Sequence, residues 1–241
     1  MRLRKYNPQP TNMKLKALNK RSLGALMTLV IFAVTLGLAN ATPITPGQTS
    51  VAVSVAPTNP LTTGTIVANT GVQNFNMTMG TDSLIGTGQE WVVKNYAGNP
   101  FGATGTTFVL QVSLSGAPPN VMAAVIERVT NAVFTGFLTD VMSFVSAAGQ
   151  VVPTNADRSA NGAVVAFNFN IPNILPGQQS ALLIINTNAP SFTSGTMTVQ
   201  DGFATTLNGF APSVPDGGNA VALLGIALVG VEFLRRKLAA A

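Results

Sequence analysis

The sequence of 241 residues contains no cysteine and no histidine. A thiolate nucleophile, a disulfide framework and every Cys-ligated metal site are thereby excluded. The usual zinc ligand and the general base of an ordinary catalytic triad are missing as well. Acid–base chemistry is left to carboxylates. Glu90, Glu127, Asp140 and Asp157 are of the type that a glycosidase sets across a scissile bond, and no spacing among them marks two that converge. Glu90 beside Trp91 is the most suggestive combination, because an indole can stack on a sugar while a carboxylate bonds its hydroxyls. The competing reading is a strand-end Glu next to the core's single Trp. Asn155 to Gly162 (NADRSANG) sets oxygen side chains at alternate positions before a glycine. A calcium loop does so too, but this stretch lacks the acidic density and distal Glu of an EF-hand, and a polar turn accounts for it. Thr196 and Thr198 share a strand face, as on surfaces that bind ice or a crystalline glycan, and equally as on any solvated strand. Asn76-Met77-Thr78 has the form of a glycosylation sequon. No cofactor and no metal site is expected.

These candidates need strands to hold them. Phe108, Leu110, Val112 and Leu114 alternate with Val109, Gln111 and Ser113, and Ala163, Val165, Phe167, Phe169 and Ile171 repeat the pattern. A period of two places each set on one strand face. Shorter candidates run over 50–55, 73–79, 90–96, 140–145, 180–187 and 195–200, punctuated by clusters such as Gly116-Ala117-Pro118-Pro119 and Pro176-Gly177-Gln178. The expected fold is all-β, an antiparallel β-sandwich over 42–213. Val51, Val53 and Val55, among several prolines, predict an edge strand. Residues 120–131 mix helix formers with β-branched residues, and a strand with a bulge or turn is expected there.

The formal charge of +5 suggests nucleic acid only until the charges are located. Arg2, Arg4, Lys5, Lys14, Lys16, Lys20 and Arg21 precede the first apolar run, and Arg235, Arg236 and Lys237 follow the last. Between Thr42 and Ser213 stand only Lys94, Arg128 and Arg158 against Asp82, Glu90, Glu127, Asp140, Asp157 and Asp201, a net charge of −3. Phosphate binding needs clustered cations, so nucleic acid is not an expected partner.

Both ends read as addresses. A basic leader, the apolar run 23–38 and Ala39-Asn40-Ala41 make a secretory signal peptide over 1–41, cleaved after Ala41, with the secretion translocon and signal peptidase as partners. Met13 is an alternative start, and an uncleaved membrane anchor is the alternative reading of the run. At the other end, Val214-Pro215-Asp216-Gly217-Gly218 precedes an apolar helix over 219–234 and the basic Arg235, Arg236 and Lys237. Positive charge past such a helix orients it with the preceding domain outside. The plain alternative is a membrane anchor whose VPDGG is a turn.

This order of motif, helix and basic tail resembles the tripartite C-terminal sorting signal of the PEP-CTERM class, in its VPDSG-CTERM variant, with Gly217 where that variant carries Ser. Residues 168–202 also look like the end of β-rich PEP-CTERM ectodomains. The resemblance implies an exported bacterial surface or extracellular-matrix protein, noncatalytic, processed at Val214–Gly218 by an exosortase-like membrane protease, with exopolysaccharide as a candidate partner. A carbohydrate- or ice-binding module using Glu90 and Trp91 is the alternative, and a glycan-active enzyme the third.

Overall fold

The computed structural model describes residues 43–79, 82–115, 125–214, 226–229 and 235. The chain divides into two units, Met1–Leu38 and Ala39–Ala241. The expected leader with Ala39 and Ala41 lies outside the described residues, as do Pro215, Asp216, Gly217, Gly218, Arg236, Lys237 and most of 219–234.

The described fold is all-β. One sheet has seven strands, in the order β1 (Ser54–Val55), β7 (Thr139–Phe144), β10 (Leu182–Thr187), β5 (Thr107–Leu114), β4 (Asp82–Lys94) and β2 (Thr65–Asn69), with β3 (Gln73–Met79) also paired to β4. The other has five, in the order β12 (Phe203–Ser213), β11 (Ser191–Asp201), β6 (Arg128–Ala132), β9 (Val164–Asn168) and β8 (Asn155–Arg158). Phe108, Leu110 and Leu183 from the first sheet and Val129, Phe167, Met197 and Val199 from the second share one apolar cluster. Phe134 meets Phe108 there edge to face at 5.6 Å. The LLIINT run of β10 is buried on both faces because a second cluster, Val93, Tyr96, Val109 and Leu182, covers the outer side of its sheet. A one-turn helix, α1 (Pro60–Thr63), brings Leu61 onto that cluster. It starts where Asn59 Oδ1 accepts from Leu61 N at 2.9 Å and where Pro60 needs no hydrogen bond for the N–H it lacks.

Three expectations are corrected. The pairing is not antiparallel throughout: β1 runs parallel to β7, Ser54 opposite Met142 and Val55 opposite Ser143. The cause lies in the path of residues 43–55. Pro43 pairs antiparallel with Asp140, the chain doubles back through Gly47 and Ser50 at positive φ, and it returns to β7 reversed. The second correction is Ile171, expected on the buried face with Phe169. Strand β9 ends at Asn168, Phe169 stays buried, and Ile171 is 91% exposed at φ +57°. Its N–H is held by Asn173 Oδ1 at 3.2 Å in a local turn. The third is Asn155–Gly162, whose first half is strand β8 rather than a turn. Of 120–131, the part from Arg128 is strand β6, and 116–124 lie outside the described residues.

The edges of the five-stranded sheet, β8 and part of β12, are covered by the first described segment and by a side chain. Val51 and Ala156 exchange two backbone bonds of 2.8 Å, covering the free side of β8. On β12 the amide of Gln73 bonds both the carbonyl (2.8 Å) and the N–H (3.0 Å) of Asn208. Pro212, further along the same strand, has no N–H to offer.

Candidate functional site

Glu90 and Trp91 are consecutive on β4, so their side chains leave opposite faces of the sheet. Trp91 lies half-buried on the outer face with Leu61, against Val93, Tyr96 and Val109. Glu90 is in phase with Leu84 and Val92 and is fully buried between the sheets. Its Oε1 accepts from Asn131 Nδ2 of β6 at 2.6 Å, and its Oε2 accepts from Phe210 N of β12 at 3.1 Å. Burial pushes the carboxyl up to about 8, the two hydrogen bonds pulling against it. At neutral pH the group is therefore protonated. The structure does not bring Glu90 and Trp91 together, and a sugar stacked on Trp91 would have the sheet between it and the carboxyl.

The other carboxylates are placed apart. Asp140 is buried on β7 and accepts from Asn186 Nδ2 at 2.9 Å. Asn186 Oδ1 in turn accepts from Thr107 Oγ1 at 2.8 Å, a polar row across β7, β10 and β5. Asp157 takes both terminal nitrogens of Arg128 at 2.7 Å. Asn168 donates to Asp157 Oδ2 at 3.1 Å and to Asn155 Oδ1 at 2.8 Å. The oxygens read as a calcium loop are thus engaged by nitrogen donors, and among the described residues no group of acidic side chains could hold a metal ion.

Arg158 closes β8 and was not singled out by the sequence. It is only 3% exposed. Its Nε donates to Gly162 O at 3.0 Å, Nη1 to Ile44 O at 3.0 Å and Thr139 Oγ1 at 2.8 Å, and Nη2 to Phe134 O at 2.8 Å and Phe137 O at 2.9 Å. All five N–H groups of a guanidinium are used. Burial lowers its pKa, and the group stays charged nonetheless. The sequence carries no signal for it, because NADR reads as a turn and the strand that sets Arg158 in phase with core-facing Ala156 is seen only in the fold.

Thr196 is exposed, Thr198 lies 3.4 Å from Thr206 through their hydroxyls, and Thr130 pairs with Thr198 from β6. This is one rung of threonines rather than a ladder. Asn76 is exposed on β3. A groove of about 350 Å³ opens beside the β11–β12 turn, lined by Glu127, Arg128, Gln200, Gly202, Phe203 and Ala204. It sets an aromatic edge beside a carboxylate, an amide and a guanidinium.

Strand β12 runs to Ser213, opposite Ser191, and Val214 follows it exposed. Residues 226–229 are helical and exposed. Among the described residues no helix is long and apolar enough to cross a membrane. A family model described as the VPDSG-CTERM motif matches residues 213–238. Neither a curated protein nor a solved structure matches the chain. The motif match supports a PEP-CTERM-like sorting-domain protein, in line with the resemblance carried by Val214 to Lys237.

Proposed function

We propose that this is an exported, noncatalytic protein of the bacterial cell surface or extracellular matrix, whose two-sheet sandwich, residues 42–213, is delivered by a leader cleaved after Ala41 and sorted through its C-terminal signal. The observation that carries the reading is the VPDSG-CTERM motif at 213–238. In this reading the apolar segment 219–234 is a temporary membrane helix, Arg235, Arg236 and Lys237 hold its far end in the cytoplasm, and an exosortase-like membrane protease cuts within Val214–Gly218. The buried state of Glu90 and Asp140 and the pairing of Asp157 with Arg128 favour a noncatalytic domain, since a carboxylate pair must face a common cleft to act on a substrate. The test is intact-mass and terminal sequencing of the protein from envelope and medium. A mature chain that ends within Val214–Gly218 supports the reading, and one that retains Arg235 to Lys237 overturns it.

A second reading is favoured by the groove at Glu127, Arg128, Gln200 and Phe203. Its size and its mixture of an apolar ring with planar polar groups suit one sugar unit of a polysaccharide. On the host's exopolysaccharide, retention that falls on Phe203→Ala and Gln200→Ala but not on Trp91→Ala supports this reading. Equal retention of all three variants overturns it.

A further inference from the structure

The last rung of the β11–β12 ladder is Ser191 with Ser213, and the sorting match begins at residue 213. The fold therefore runs into the motif without a spacer. Seven peptide steps separate Ser213 from Ala220, where the apolar stretch begins, and fully extended they reach at most about 25 Å. The end of the domain that carries Ser213 stays within that distance of the bilayer for as long as the precursor is anchored.

Hydrogen bonds define which surface this is. Lys94 Nζ, at the end of β4, donates to Pro190 O at 2.8 Å, to Thr106 Oγ1 at 2.6 Å and to Thr104 O at 3.3 Å, so its three N–H groups are engaged within the fold. Leu138 N, before β7, donates to Asn188 Oδ1 at 2.9 Å. The end of β4, the starts of β5 and β7, the end of β10 and the Ser191–Ser213 rung thus form one surface. It presents Leu138, 59% exposed, and Val133, 56% exposed. Val133 holds φ +74°, a conformation that a β-branched residue rarely adopts and that carries strain. Beside them a cleft of about 290 Å³ is lined by Pro43, Phe101 and Phe137. Among the described residues the acid of this end, Asp140, is buried, so the end presents no exposed carboxylate. The opposite end carries Glu127 exposed and Asp201 half-exposed. Exposed aliphatics occur there too, at Val145, Ile171 and Leu175, so apolar surface alone does not choose an end. The covalent connection to the motif and the sign of the charge do.

We propose that the Ser213 end is a membrane-seating face: Val133, Leu138 and the rim of the Phe101–Phe137 cleft rest in the headgroup region of an anionic bilayer and hold the sorting motif at the depth where a membrane-embedded protease reaches it. The inference rests on the reading of 213–238 as a membrane-held signal. Apolar residues at the boundary, with no exposed carboxylate beside them among the described residues, are what such a surface attracts.

The absence of cysteine makes the test direct. The full chain carrying Leu138→Cys, or Ala204→Cys at the exposed opposite end, is labelled with an environment-sensitive fluorophore and reconstituted into phosphatidylglycerol–phosphatidylethanolamine vesicles. The expected result is flotation of both variants, a blue shift and several-fold stronger quenching by headgroup-nitroxide lipid at position 138, and loss of that difference when Val133→Glu is added. Flotation with equal quenching at the two positions overturns the seating face and leaves the anchored signal standing. Failure to float overturns both. A probe at 138 that is shielded but unquenched, with crosslinking to a second copy, shows a chain–chain interface and also overturns the proposal.

Discussion

Glu90 at the seam between β4 and β12, and Arg158 at the clamp between β8 and the first described segment, are ionisable side chains buried in the same domain, and the two regions accommodate them differently. A carboxyl has an exit from the cost of burial, since it can take up a proton, and Glu90 does so with its pKa raised to about 8. Two hydrogen bonds then suffice. A guanidinium has no such exit at accessible pH, so Arg158 keeps its charge and the fold surrounds it with four carbonyls and a hydroxyl. Where burial can be relieved by titration the chain supplies little; where it cannot, three separate segments, around Ile44, Phe134–Thr139 and Gly162, converge on one side chain.

The largest effect is expected at the clamp. Arg158→Ala strands the carbonyls of Phe137 and Gly162 and takes one of two donors from Ile44 O and Phe134 O, which keep Thr139 Oγ1 and Phe137 N, and should destabilise the domain by about 3 kcal/mol or more, read as a lower midpoint in urea. Arg158→Lys supplies three donors in place of five and should recover only part of that loss; full recovery would mean that charge rather than fork geometry organises the clamp. At the seam the prediction is a pH dependence. The folded pKa of Glu90, about 8, lies above the ordinary carboxyl value of 4.5, so the native state keeps a proton that the unfolded chain releases. This group's contribution is then most favourable below pH 4.5, declines as pH rises towards 8 and is flat beyond, a total of a few kcal/mol. Glu90→Gln should flatten that slope, leaving a variant less stable than the parent at pH 4 and more stable at pH 9. An unchanged slope in the variant would assign the dependence elsewhere.

Gly209→Ala sharpens the same seam. A Cβ there would stand 2.5 Å from Glu90 Oε2 and 2.9 Å from Met197 N, and the overpacking should cost about 1–3 kcal/mol by thermal or urea melts. The smallest effect belongs to the partly exposed pair Arg128–Asp157. A double-mutant cycle to alanine should give about 1 kcal/mol or less, falling with salt. A coupling as large as the Arg158 loss would erase the distinction between a buried and a solvated guanidinium.

Much of this was legible in the sequence, and what was not has definite causes. The strands with bulky alternation, β3, β5 and β9, were expected within a residue or two at most ends, because packing against a core leaves that period. Strands β2, β8, β12 and the first half of β4 were missed. Their sequences, such as SLIGTG in β4 and NADR in β8, are rich in Gly, Asn and Asp, which propensity assigns to turns and which here are held by neighbouring strands. Gly86 and Gly88 are in β4 because larger residues would collide, Gly88 with Leu207 and Met197 and Gly86 with the ring of Phe75. The pairing of Glu90 with Trp91 was chosen by chemistry and ignored parity. Leu84, Gly86, Gly88, Glu90 and Val92 lie on one face, so an inward Glu90 was already implied by the two aliphatics flanking it. The parallel pairing of β1 had no local signal, since it follows from a reversal at Gly47 and Ser50.

The treatment of β12 has a consequence for crowding. At high local concentration a β-rich protein meets many copies of itself, and a bare strand edge is a template on which copies add without limit. Along the C-terminal half of β12 the N–H groups a newcomer would need are already engaged, that of Asn208 by Gln73 and that of Phe210 by Glu90, while Pro212 has none to give. Copies packed side by side along that stretch therefore find no backbone donors to pair with, which disfavours growth by strand addition there.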